Sequence, residues 1–151
     1  AQLTAEKNLV ALMIKSRRYF ELISKYLNEN DFSTDVCKAL ASIIFQEYKR
    51  NPDRTEVDIE AIEPNVFQEI ASVRIDESIE NMDKFIKDLI DTVKVYKLKK
   101  EREEISRKIK EIEQKKDLNE KELDEFKKLC AKLMELDKEL TLHIMTREGG
   151  Q

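Results

Sequence analysis

From Ser78 to Ile144 the chain contains neither glycine nor proline, and its apolar residues recur three and four apart. A stretch of that kind can hardly be anything but helix. One break interrupts it, at Lys116-Asp117-Leu118-Asn119, so the expectation is two long helices folded back as an antiparallel hairpin. Residues 78–115 would span about 57 Å at 1.5 Å per residue. That exceeds the diameter of a small domain, so the hairpin is expected to project. Lys99 to Glu104 is polar all round and reads as a solvated strut. Pairing the arms about Asp117 sets Ile112 near Leu123, Ile109 near Phe126 and Ile105 near Leu129. Asp117 or Asn119 suits the cap of the second arm, with Glu122 three residues after Asn119 as in a capping box.

Residues 1–75 have a different texture, with shorter apolar runs between turn residues. Thr4 is placed to cap a first helix carrying Leu9, Val10, Leu12, Met13 and Ile14. A second follows Ser16, and Asn28 to Asp31 makes a polar turn. Ser33 or Thr34 caps a third, with Asp35 favourably placed in its first turn. Pro52 ends that helix, and Pro64 suits the first position of another, over Asn65 to Val73. The expected core is Leu9, Leu12, Met13, Phe20, Ile23, Phe32, Leu40, Ile43, Ile44, Phe67, Ile70 and Ile79. The whole is therefore an all-α chain: a compact helical bundle over residues 1–95, including the start of the long helix, a C-terminal antiparallel helical hairpin over 96–146, and a disordered tail over 147–151.

The chemistry these residues can support is limited. With both glycines at positions 149 and 150, no internal phosphate-binding loop can form. His143 is the sole histidine, and it lies near a helix C-terminus, where the dipole suits it. Cys37 and Cys130 lie far apart on apolar faces with no histidine nearby, which fits buried thiols in a reducing cytoplasm. Carboxylate pairs such as Glu101–Glu104 have Lys and Arg neighbours and read as solvated helix faces. No catalytic residue, metal site or cofactor is expected, and no apolar run is long enough to cross a membrane.

Binding is the remaining function. The formal net charge is −4, and residues 78–151 hold 18 basic and 18 acidic side chains. A dedicated nucleic-acid binder needs a basic excess to neutralise phosphates, so direct nucleic-acid binding is not expected. Lys94 to Arg102 is the one locally basic stretch, and reads first as part of the strut. In the stripe of Leu133, Leu136, Leu140 and Ile144, the last three run past good apolar partners on the first arm, opposite Leu98, Val95 and Lys94. Left wet, they would form a docking face for partner helices. Arg17, Arg18 and Tyr19 are a weaker candidate contact.

In order of parts the chain resembles the C-terminal helicase-binding domain of bacterial DnaG-type DNA primase. The matching stretches are Ala5-Glu6-Lys7-Asn8-Leu9-Val10-Ala11-Leu12-Met13-Ile14, then Tyr19-Phe20 leading to Leu27-Asn28-Glu29-Asn30-Asp31-Phe32-Ser33, then the charged helix and hairpin from about Lys99 to Ile144. The resemblance covers essentially the whole chain. It implies a helical bundle, a connecting helix and a terminal hairpin that dock on the N-terminal collar of the hexameric DnaB-type replicative helicase, coupling primer synthesis to the fork in the bacterial cytoplasm. It also implies that zinc-binding and polymerase regions lie upstream, in keeping with a start at Ala1 rather than Met. The segment itself would be non-catalytic and monomeric alone. Two alternatives stay open: a self-associating helical scaffold, and the N-terminal domain of the helicase itself, which resembles the bundle.

Overall fold

A computed structural model describes residues 1–149, with the side chains of residues 1–146. The chain is all-α: no strand occurs among the described residues. The helices are α1 (Gln2–Lys15), α2 (Arg17–Ser24), α3 (Asp35–Arg50), α4 (Ile59–Ile62), α5 (Pro64–Phe67), α6 (Met82–Glu113) and α7 (Glu120–Gly149), with a 3-10 turn at Glu29–Asp31. They divide into two compact units, residues 1–94 and residues 95 onward. α6 crosses the division, and none of the helices is long and apolar enough to cross a membrane.

The first unit is organised around α3, whose two ends are met by side chains of opposite charge. Glu6, on α1, is fully buried. One carboxylate oxygen accepts the Ser33 N–H at 2.6 Å and the Thr34 N–H at 3.4 Å; the other accepts the Ser33 hydroxyl at 2.6 Å. Thr34 in turn accepts the Cys37 N–H. These contacts satisfy donors where the helix dipole is positive. At the other end the Arg17 guanidinium donates to the carbonyls of Tyr48 at 3.0 Å, Asn51 at 2.6 Å and Arg54 at 2.5 Å. Its carbon sits 4.8 Å from the centre of the Tyr48 ring.

The carbonyls at the end of α1 are consumed in the same place. Ser16 N–H bonds Leu12, the Tyr48 hydroxyl donates to Met13 at 2.5 Å, and the Val57 N–H bonds Ile14 at 2.9 Å. Phe20 stacks on Tyr48 with centroids 4.4 Å apart and meets Phe45 edge-on. Burial under these ties pushes the Tyr48 phenol up to about 12, against the opposing pull of Arg17.

The core contains the expected Leu9, Leu12, Met13, Phe20, Ile23, Phe32, Leu40, Ile44 and Ile70. Ile43 and Phe67 pack against it half-buried, and Ile79 is half-buried. Ala5, Val10, Leu27, Ala41, Tyr48, Val57 and Ile59 join it, as does Cys37, whose thiol was expected to be buried, and α6 adds Ile86, Ile90 and Val93.

Several boundaries differ from expectation. α1 begins at Gln2, so Thr4 lies inside it. The helix expected over Asn65 to Val73 stops at Phe67 and continues as turns. The long helix starts at Met82 rather than Ser78, because Asp76 folds back onto the Ser78 N–H and hydroxyl while the Asn81 side chain accepts the Lys84 N–H as a cap. At the other end, α7 runs through 147–149, expected as tail, since nothing before Gly149 breaks the helix; residues 150 and 151 lie outside the described residues.

In the second unit α6 and α7 run antiparallel, tied by Lys115–Glu122 beside the connection and by Arg102–Asp137 at 2.5 Å further along. Asn119 caps α7, accepting the Glu122 N–H at 2.7 Å, as expected from the capping box. Ile109, Ile112, Leu136 and Leu140 are buried here. Leu123, expected near Ile112, is exposed.

Two outcomes test the α3 clamp. Glu6→Ala strips the acceptor from two backbone donors and a hydroxyl, and should lower stability by about 2–4 kcal/mol in urea unfolding. The raised Tyr48 phenol works in the alkaline range. Unfolded tyrosine loses its proton near pH 10, whereas folded Tyr48 holds it to about 12. Its contribution is therefore complete below pH 10 and falls as the pH climbs from about 10 to 12. Tyr48→Phe should flatten that fall when stability is followed against pH.

Candidate functional site

The structure separates the candidate contact residues into buried and exposed sets. Arg17 is not available to a partner, because its guanidinium is spent on three carbonyls and a ring within the first unit. Arg18 is exposed and reaches Asp83 at 3.4 Å. Tyr19 is half-buried against the core. The three do not gather into one contact surface, since consecutive residues on a helix point in different directions.

The leucine stripe of α7 is also corrected. Leu136 is 1% exposed and Leu140 8%, so neither is the wet anchor expected from the sequence. Leu133 is half-buried, and Ile144 is exposed. The reason lies opposite. The strut is not wholly solvated: Glu101 within it and Leu98 and Ile105 flanking it are half-buried, and the Arg102–Asp137 ion pair closes the helices together at the level of Leu136. Leu136 and Leu140 are consumed by the seam.

A second apolar face takes its place. Met134, Leu142 and Met145 are 65%, 63% and 62% exposed. At about 100° per residue they fall, with Thr141, within about 100° of one another, on the side of α7 opposite Leu136 and Leu140. α7 is thus apolar on two sides, one shielded and one open to solvent. Lys138 lies in the same arc, and Leu123, also exposed, extends it toward the start of the helix. Large apolar groups held in water without an internal partner mark an interaction surface. Sequence reasoning missed this face, although the spacing of 134, 138, 141, 142 and 145 is itself helical.

The basic stretch is largely engaged. Lys94 lies 5.3 Å from the centre of the Tyr26 ring, Lys100 lies 5.4 Å from that of Tyr96, and Arg102 pairs with Asp137. Cys37 is buried, and burial pushes its thiol up, away from the thiolate a nucleophile needs. Cys130 is half-buried. Among the described residues no three His, Cys, Asp or Glu side chains converge as a metal-binding group. Compared with protein-family models, curated proteins and solved structures, the chain matches none.

The two faces of α7 should respond differently to truncation. Leu136→Ala should destabilise the second unit by about 2–5 kcal/mol through lost burial and a residual cavity. Leu142→Ala should change stability by no more than about 0.5 kcal/mol. Thermal unfolding of the two variants checks the contrast.

Proposed function

We propose that this chain is a non-catalytic docking module, and that its partner is the hexameric DnaB-type replicative helicase, as the resemblance to the helicase-binding domain of DnaG-type primase implies. In that role it would bring primer synthesis to the replication fork in the bacterial cytoplasm. One observation carries the reading: α7 keeps Met134, Leu142 and Met145 in water after the seam has been filled. A helix face of three large apolar side chains at helical spacing is suited to a groove between partner helices. Thioethers add adaptability at such a surface, because Met is flexible and polarizable.

The contact moves relative to the sequence expectation, from Leu133, Leu136, Leu140 and Ile144 to the opposite side of the same helix. Ile144 alone of those four is exposed, and it borders the new face. Lys138 and the neighbouring Asp137 and Glu135 supply a charged rim, which would steer association more than it strengthens it. Arg17 has no part in the proposed contact, and the bundle supports it only by holding the start of α6.

Helicase capture tests the reading. Replacing Met134, Leu142 and Met145 together with Glu should weaken binding of the source organism's replicative helicase at least ~100-fold, in line with the weight carried by a few buried anchors. The melting temperature should not move. Unchanged capture by the triple variant would defeat the proposed face. Should wild-type chain sediment as a dimer that the same variant makes monomeric, self-association would replace helicase docking.

A further inference from the structure

Two of the three large side chains on the open face of α7 are thioethers, and the chain's other two methionines are shielded. Met13 is fully buried and Met82 half-buried, whereas Met134 and Met145 are among the most exposed apolar residues described. Eleven residues separate the exposed pair, three turns of helix, so they stand within about 20° of each other and about 16 Å apart on one side. Leu142 lies between them.

We infer that Met134 and Met145 form a paired oxidation site, at which hydrogen peroxide converts this face from apolar to polar and releases the docked partner. The release, though not the oxidation, rests on the docking reading above. In the reaction the thioether sulfur attacks one peroxide oxygen. The S–O bond forms as the O–O bond breaks, sulfur gives up two electrons, and the other oxygen leaves as water with the proton of the transferred hydroxyl. Each product is a methionine sulfoxide, polar and chiral, and open to reversal by a sulfoxide reductase. A sulfoxide pressed into an apolar groove without a hydrogen-bond partner opposes binding. The fold is spared, because the seam residues Leu136 and Leu140 lie on the other side of the helix.

Full-length chain carrying Cys130→Ser, so that the half-buried thiol does not compete, is treated with hydrogen peroxide and its peptides weighed. Met134 and Met145 should each gain one oxygen at least tenfold sooner than Met13, with helical circular dichroism and melting temperature unchanged. Helicase affinity should then fall at least tenfold. The Met134→Leu, Met145→Leu variant, compared with its own untreated form, should lose no helicase affinity on the same treatment. Equal oxidation of Met13, or melting of the helix on oxidation, would overturn the site. Unchanged helicase affinity with both sulfoxides formed would overturn the switch. Absence of binding by untreated chain would instead count against helicase docking. In that event a fluorescent apolar dye reads the same face, and dye binding that survives oxidation overturns the inference.

Discussion

The first unit depends on a single arrangement: α3 is gripped at both ends by charges from the helices packed beside it. Glu6 supplies the anion at its N-terminal end and Arg17 the cation at its C-terminal end. Each sits where the dipole of α3 favours its sign. A buried carboxylate is expensive unless fully hydrogen-bonded; Glu6 escapes that penalty because two N–H groups and a hydroxyl converge on it. The same grip seats Tyr48 over the end of α1 and brings the segment from Asn51 to Val57 against the α1–α2 junction. Without it α1 and α3 would still have apolar faces to bury, but their ends would be left with unpaired backbone groups. Surface pairs such as Arg18–Asp83, by comparison, add little.

The second unit is simpler and has less to spare. Two helices joined by a short connection bury one stripe each, and stability comes from that seam rather than from helix propensity. α7 meets this demand with Leu136 and Leu140 on one side and still carries apolar bulk on the other. A helix that only needed to pack on α6 would be polar there. The outward apolar face is the feature that stability does not explain, and it is the one to which a docking role is assigned.

Long-range geometry marks the line between what the residues revealed and what they hid. Helix content, the break near Asp117, the caps at Thr34 and Asn119, and most of the core were legible because each follows from local spacing or local capping chemistry. Glu6 was not legible: it stands beside Ala5, Leu9, Val10 and Met13, but its partners lie 27 residues away at Ser33. Arg17 and Arg18 look alike in the sequence, and only the fold decides that one is consumed while the other reaches solvent. The leucines of α7 were assigned to the wrong side because Lys99 to Glu104 reads as all polar. Leu98 and Ile105, flanking that run, are half-buried across the helix pair instead.

Methyl nuclear magnetic resonance of the four methionines tests the central claim most directly. A soluble paramagnet should broaden the Met134 and Met145 methyl signals in the free chain and leave Met13 sharp. Adding the replicative helicase should shield both of the exposed methyls. Signals from Met134 and Met145 as protected as Met13 in the free chain, or unprotected in the presence of bound helicase, would contradict the account.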